Sequence, residues 1–239
     1  IVSEAGASVY SASKLAQEEF PDLDVAQRSA ASIARRVQDP LAELVKIDPK
    51  AIGVGQYQHD VSQKNLESSL KGVVESAVNH VGVDVNTASP SLLSYVAGVN
   101  ATIAKNIVKY REENGRFSSR KELQKVPRLG AKTLQQCVGF LRIKGGDNPL
   151  DYTGIHPESY AATSKLLKSL KIKPEQLGSS EAVTALANVD VEQTAAALDI
   201  GVPTLRDILD SLQRPGRDPR DELPLPIFRT DVLKIEDLT

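Results

Sequence analysis

The stretch VPRLGAKTLQQC, residues 126–137, decides the fold because it repeats the pattern of VAGVNATIAKNI, residues 96–107, thirty positions upstream. Each copy contains a tight turn with an aliphatic residue at its centre, placed between a short helix and a longer one. Five pairs of residues thirty positions apart are identical: Ser89 and Ser119, Leu93 and Leu123, Val96 and Val126, Ala101 and Ala131, and Val108 and Val138. The repeat therefore predicts two successive helical hairpins, each starting at a capping Ser.

The two turns have a composition that suits an anion. Gly98-Val99-Asn100 and Arg128-Leu129-Gly130 each supply a residue that tolerates a left-handed backbone next to the aliphatic one. The N–H groups of such a turn, together with the unpaired first turn of the next helix, can bind a phosphate diester. Lys105 and Lys132 are expected near those helix starts, where a cation opposes the helix dipole unless a phosphate offsets it.

The charge distribution agrees with this interpretation. The whole chain of 239 residues carries a net charge of only −2. Residues 101–145, however, contain eleven Lys and Arg and three Glu, which leaves +8 there and −10 elsewhere. Charged surfaces are most often simply solvated, so this excess indicates nucleic acid only because it coincides with phosphate-binding turns.

We predict that nucleic acid is contacted by residues in or just after the two turns. These residues are Gly98, Asn100, Ala101, Thr102, Lys105, Lys109, Arg128, Gly130, Ala131, Lys132 and Thr133. Because only phosphates would be contacted, binding is expected without sequence preference and with strong salt dependence. The alternative, that the turns serve only in packing, stays open at this point.

Longer sequence motifs resemble two known groups of proteins. VNTAS at 85–89 and YREENGRF at 110–117 resemble the tandem helix-hairpin-helix domains of DNA-uptake proteins of the ComEA type. A wider set of stretches resembles the Tex family of bacterial transcription accessory proteins over essentially the whole chain. These stretches include SEAGASVYSAS (3–13), GVGQYQHDVSQ (53–63), GFLRIKGGDNPLDYTGIHPESY (139–160) and RPGRDPRDELP (214–224).

The Tex resemblance implies a mainly α chain in five parts. They are the end of a YqgF domain of RNase H-like α/β fold (1–50), a loop and long helix (51–83), the tandem helix-hairpin-helix domain (84–145), a helical domain (146–214) and a Pro-rich linker (215–239). The chain has no Met and begins on Ile1-Val2 as if inside a strand, so we expect it to be part of a longer polypeptide. In this family an RNA-binding OB-fold domain would follow Thr239.

Apolar spacing places helices along the rest of the chain. It predicts helices at 11–20, 25–38, 62–81, 158–170, 180–187, 191–198 and 204–212, with a Pro- and Gly-rich linker at 148–155. For the helix at 25–38, Asp24 is the expected N-cap and Ala30, Ile33, Ala34 and Val37 form the expected buried face. Cys137, the single cysteine, is expected in the core.

Two other classes of function compete with nucleic-acid binding. A metal-dependent nuclease of RNase H-like type would use dispersed carboxylates such as Glu4 and Asp24, although Asp24 is adequately explained as a helix cap. A protein-interaction scaffold would use the acidic helices of 146–214, and RNA polymerase or other transcription proteins are its candidate partners. We favour binding of RNA or DNA with no catalysis.

Metal, membrane and cofactor are not expected. The three histidines, His59, His80 and His156, are too far apart in sequence to form a ligand motif. The chain has no long apolar run and its first residues do not resemble a signal peptide, so a cytoplasmic location without a membrane partner is expected. No cofactor is predicted.

Overall fold

The structure is a computed structural model that describes residues 2–216. Ile1 and residues 217–239, which include most of the predicted Pro-rich linker, lie outside the described residues. The chain forms two compact units, which within the described range are residues 2–73 and 74–216. The mainly α prediction is confirmed, since the described residues contain many helices and only two strands of two residues each.

The α-helices are numbered in chain order. They are α1 (Ala7–Ser11), α2 (Lys14–Glu19), α3 (Val25–Gln38), α4 (Pro40–Leu44), α5 (Gln63–Val81), α6 (Pro90–Leu93), α7 (Ala101–Asn114), α8 (Ala131–Cys137), α9 (Tyr160–Ser169), α10 (Ser180–Ala187), α11 (Val191–Leu198) and α12 (Val202–Gln213). Short 3-10 helices occur at Pro49–Ile52, Arg120–Lys125, Pro149–Tyr152, Pro157–Ser159 and Pro174–Gln176. The strands are β1 (Val83–Asp84) and β2 (Leu141–Arg142).

The first unit packs α1 to α4 around a small core of Tyr10, Ala16 and Ile47. The prediction of one helix over 11–20 was wrong: α1 ends at Ser11, and α2 starts after Ser13. The Ser13 hydroxyl accepts a hydrogen bond from the Ala16 N–H and so caps α2. Val2 and Ser3 are not part of a strand among the described residues.

The predicted buried face of α3 was also wrong. The helix buries the polar stripe Arg28, Ser32 and Arg36, whereas Val37 is 40% exposed. The reason is that nearby loops offer backbone acceptors: the Arg36 guanidinium donates to the carbonyls of Ser3 and Ala5 at 2.7 and 2.9 Å. Pairing of this kind makes the burial of a charged group tolerable.

Helix α5 forms as predicted, and its apolar residues are buried to very different degrees. Val78 is fully buried, whereas Val73 is 65% exposed. None of the helices in residues 2–216 combines the length and apolar character that crossing a membrane requires.

The second unit begins with the repeated hairpins. β1 and β2 pair in parallel, Val83 with Leu141 and Asp84 with Arg142, and so join the start of the repeat to its end. Side chains from both copies, Val99 and Leu129 among them, are buried, and Cys137 is fully buried, as predicted.

Four helices, α9 to α12, follow the hairpins around their own core of Leu, Ile and Ala side chains. Each predicted helix of this region is present with ends within about two residues of the predicted ones, as is usual for boundary assignments. The linker predicted at 148–155 is instead a packed segment, in which Leu150, Asp151, Thr153 and Ile155 are all buried.

Candidate nucleic-acid interface

The first hairpin joins α6 to α7 through Gly98, Val99 and Asn100. Gly98 has a left-handed backbone with φ 82°, and Val99 is 5% exposed and plugs the core. Asn100 is extended, and its side-chain oxygen accepts a hydrogen bond from the Ile103 N–H at 2.9 Å. The first helix of this hairpin is capped by Ser89, as predicted.

The second hairpin joins the 3-10 helix Arg120–Lys125 to α8 through Arg128, Leu129 and Gly130. Arg128 has a left-handed backbone with φ 67°. Leu129 is 5% exposed, so its side chain is buried in the core as that of Val99 is. Gly130 is extended, at φ −67° and ψ 159°, and no side chain caps α8. The predicted cap by Ser119 is likewise absent.

These angles correct the expected roles of two residues. The left-handed residue is the one before the aliphatic in both turns, so Asn100 and Gly130 do not take that backbone. Asn100 serves as a helix cap, and a Cβ on Gly130 would meet no atom within 4 Å. Arg128 therefore carries the backbone strain that glycine avoids in the first turn.

The two hairpins interlock through equivalent residues of α7 and α8. The Asn106 side-chain amide donates to the Pro127 carbonyl at 2.8 Å, so α7 holds the second turn. Conversely, a Cβ on Gly98 would lie 3.5 Å from the Gln136 Cβ, so α8 abuts the first turn. Because Asn106 and Gln136 are thirty positions apart, the structure has the internal symmetry that the sequence repeat predicts.

The predicted contact residues lie at the surface of these hairpins. Gly98, Asn100, Ala101, Thr102, Lys105, Lys109, Arg128, Gly130, Ala131 and Lys132 are exposed, and Thr133 is half-buried. Among the described residues, Lys105, Arg128 and Lys132 make no ion pair. Lys109 lies 3.7 Å from Glu113, but both side chains are largely exposed, so this pair holds the cation weakly.

Arg120 ties the second hairpin to the segment that follows. It is 2% exposed, and its backbone N–H donates to the Asp151 carboxylate at 2.8 Å. Its guanidinium donates to three backbone carbonyls and one hydroxyl: those of Leu141, Thr153, Ile155 and Tyr160. Burial raises the pKa of the Tyr160 hydroxyl above its ordinary range, so the phenol keeps its proton and donates to Asp151 at 2.7 Å.

Two further turns with the same backbone lie among α9 to α12. Lys171 has φ 56° before Ile172, and Asp199 has φ 55° before Ile200. In residues 2–216 the only non-glycine residues with positive φ are Arg128, Lys171 and Asp199, and each directly precedes the aliphatic residue of such a turn. The region therefore contains helical hairpins of the same type.

For the nuclease alternative, the structure shows what the candidate carboxylate Asp24 does. The Asp24 side chain accepts a hydrogen bond from the Gln27 N–H at 2.7 Å in a reciprocal capping box. The part of the chain that the structure describes contains no group of three His, Cys, Asp or Glu side chains that could hold a metal ion.

Comparison with known families covers nearly all of these elements. Residues 78–142 match the helix-hairpin-helix motif, residues 148–220 match the HHH domain, and residues 1–38 match the Tex protein YqgF-like domain. The chain is 56% identical over 239 residues to the transcriptional accessory protein Tex of Neisseria gonorrhoeae. The chain belongs to the Tex family.

Other Tex relatives align over the full chain as well. Protein YhgF of Escherichia coli strain K12 is 55% identical, and the human S1 RNA-binding domain-containing protein 1 is 43% identical over 291 aligned residues. The chain spans about a third of the length of the curated relatives it matches: 31% of the gonococcal protein, 30% of the E. coli protein and 29% of the human one.

The helical pattern of residues 146–214 predicted helices but not that this second module of the Tex chain is also built from hairpins. A signal was present, because GVPTL at 201–205 follows the pattern of GAKTL at 130–134, with Gly, Thr and Leu at matching positions. This similarity does not follow the thirty-residue spacing of the first two hairpins, so residues thirty positions apart do not reveal it. The side chains at equivalent positions also differ in charge. Asp199 is equivalent to Arg128 of the second hairpin, and Pro203 is equivalent to Lys132.

Proposed function

We propose that this Tex-family chain binds RNA or DNA without sequence preference, through phosphate contacts at the turns 98–100 and 128–130. The observation that carries the proposal is the pair of interlocked turns, in which a buried aliphatic residue lies between exposed residues, close in sequence to cations that make no ion pair among the described residues. The name of the human relative, which specifies RNA binding, and that of the gonococcal relative, which specifies a transcriptional accessory role, support it. The protein would then act in transcription as an accessory factor.

The two hairpins differ in how much backbone they offer to a phosphate. In the first, Asn100 already uses the Ile103 N–H. In the second, no side chain caps α8, so the first-turn N–H groups are left for a ligand. Arg128 adds a cation beside them, so the second hairpin is expected to contribute more of the affinity.

The test is a charge reversal at both hairpins, Lys105→Glu with Lys132→Glu. Affinity for a fluorescein-labelled oligonucleotide, measured by anisotropy, should fall about tenfold, which corresponds to ~1.4 kcal/mol. The dependence of affinity on salt should also weaken, because fewer counterions are released. Unchanged affinity would refute the assignment of the site.

A matched control keeps the change in net charge but moves it off the hairpins. Lys165→Glu with Lys168→Glu changes two exposed cations of α9. This variant should bind nearly as well as the unchanged chain at moderate salt, since screening limits the reach of distant charges. An equal loss in both double variants would mean that net charge, and not the hairpins, governs binding.

The proposal assigns a binding role and no catalysis. The capping role of Asp24 supports this choice over a nuclease, because its carboxylate already has a structural function. Divalent-metal-dependent cleavage by the longer Tex protein, lost on Glu4→Ala, would contradict it.

Docking of other transcription proteins, RNA polymerase among them, is a second proposed function, assigned to residues 146–214. The observation that favours it is the acidic character of the hairpins there. Residues 148–216 contain nine Asp and Glu against six Lys and Arg, and Asp199 occupies a turn position that repels phosphate. Capture of polymerase by the intact chain, reduced by Asp199→Lys, is the corresponding measurement.

A further inference from the structure

The second turn, residues 126–129, is closed by a backbone hydrogen bond. The Leu129 N–H donates to the Val126 carbonyl at 3.2 Å, and the Pro127–Arg128 peptide bond is trans. The proline ring fixes a negative φ at the first central position, whereas Arg128 has φ 67° at the second. A four-residue turn with these two signs is a type II turn, which favours glycine at the second central position. Arg128 therefore occupies a position that suits glycine.

Type I and type II turns differ in the orientation of one peptide group. Between the two types the central peptide, here Pro127–Arg128, is flipped, so its carbonyl points to the opposite side of the turn. An arginine under no other constraint favours type I, because that turn keeps both central φ angles negative. The orientation of this peptide thus decides which backbone Arg128 adopts.

Asn106 of α7 holds that peptide in place. Its side-chain amide donates to the Pro127 carbonyl, which is the carbonyl of the central peptide, at 2.8 Å. In a type I turn the carbonyl would face away from α7, and this hydrogen bond would be lost. The bond therefore stabilises the left-handed backbone of Arg128 against the unstrained alternative.

The held peptide presents its N–H on the side away from α7. In a trans peptide the N–H and the C=O point in opposite directions, so the Arg128 N–H faces away from Asn106. Arg128 is exposed, and its N–H makes no hydrogen bond among residues 2–216. A peptide flip would turn this N–H toward α7 and redirect the arginine side chain, because the φ of Arg128 would change sign. The flip would thus withdraw both donors of Arg128 from an anion on the side away from α7.

We infer that Asn106 is a positioning residue for the second hairpin, which holds the Pro127–Arg128 peptide in the orientation that presents Arg128 to a phosphate. This inference rests on the proposed function and adds to it a residue that acts through Arg128. The first hairpin does not require such a residue. Gly98 has φ 82° at the equivalent position, and glycine adopts that backbone without strain.

The test removes the amide with Asn106→Ala. Gln136→Ala is the matched control, because Gln136 lies thirty positions further on and alanine keeps the Cβ that abuts Gly98. In NMR spectra a strong NOE between the Pro127 Hα and the Arg128 amide proton marks a type II turn, and a type I turn weakens it. Asn106→Ala should weaken this NOE and lower the affinity for a fluorescein-labelled oligonucleotide, measured by anisotropy, about fivefold, which is what one hydrogen bond contributes. Gln136→Ala should leave both quantities unchanged.

A double-mutant cycle with Arg128→Gly separates positioning from a general loss of stability. Glycine adopts the type II backbone by itself, so Asn106→Ala in the Arg128→Gly chain should change affinity less than about twofold. A hydrogen bond that only held the two hairpins together would cost the same affinity in both backgrounds.

Three results overturn the inference. They are an unchanged NOE in Asn106→Ala, a weakened NOE with unchanged affinity, and equal losses of affinity in the two backgrounds. Each of these leaves the proposed function intact. If the unchanged chain binds no oligonucleotide even at low salt, the proposed function fails, and the positioning role fails with it.

Discussion

Replacing Arg128 with glycine should make the protein more stable and its binding weaker. At φ 67° a non-glycine residue costs about 1 to 2 kcal/mol of backbone strain. The greater freedom of glycine in the unfolded chain costs about 0.5 to 1 kcal/mol in return. Arg128 is exposed and makes no side-chain hydrogen bond or ion pair among the described residues, so no contact is lost. The net gain should be about 0.5 to 1 kcal/mol.

The stability arm is measured by urea unfolding, with Lys171→Gly as the matched control. Lys171 has the same left-handed backbone, at φ 56°, in the second helical module. Both variants should therefore raise the unfolding midpoint with an unchanged slope, because neither alters the surface exposed on unfolding. A lower midpoint for Arg128→Gly alone would show that its side chain makes a stabilising contact.

The binding arm separates the two variants. If Arg128 contacts a phosphate, Arg128→Gly should lower nucleic-acid affinity several-fold and reduce the salt slope by about one. Lys171→Gly should leave both quantities unchanged, since its turn is not one of the proposed contacts. Equal affinities for Arg128→Gly and the unchanged chain would refute the reasoning that the strained arginine is kept for a ligand.

Three further outcomes test the fold around the site. Arg120→Met should lower the free energy of unfolding by about 3 kcal/mol or more in urea, because it leaves several buried acceptors unpaired. Leu129→Ala should cost about 2 to 5 kcal/mol by the same assay, since Leu129 is 5% exposed and plugs the core. Burial by itself would raise the pKa of Glu19, but hydrogen bonds from Tyr10, Lys46 and Arg35 outweigh it and leave the pKa lowered. Stability from this group should therefore be present above pH ~4.5 and lost as pH falls below it, and Glu19→Gln should flatten that acid limb.

The parts of the fold that sequence predicted are those set by local pattern. The thirty-residue repeat fixed the two hairpins and their buried aliphatics, because capping residues and turn length are readable in a short window. The helices after residue 157 were predicted nearly to the residue for the same reason. Lys105 and Lys132 lie within the first two turns of α7 and α8, as the repeat predicted.

The errors arose where distant parts of the chain decide the outcome. Arg36 is buried because the carbonyls of Ser3 and Ala5, remote in sequence, accept its hydrogen bonds, and Arg28 donates to the Phe20 carbonyl in the loop before α3. The segment 148–155 has linker composition, yet Arg120 satisfies its irregular backbone and lets it pack. Gly130 was expected to supply the left-handed backbone of the second turn, but Arg128 has that backbone instead. Propensity alone does not report such long-range partners.

One backbone turn recurs in this chain with different chemistry, so the turn by itself does not define a binding site. At Arg128 it combines left-handed strain, an uncapped helix start and an unpaired cation. At Asp199 the same backbone presents a carboxylate, which repels phosphate. The basic hairpins and the acidic module belong to one compact unit. On the proposed binding mode, a strand on the basic hairpins would be repelled from the acidic helices. Reversing Asp199 to Lys should extend the contacted length and steepen the salt dependence, which connects the charge segregation seen in the sequence to the path of the nucleic acid.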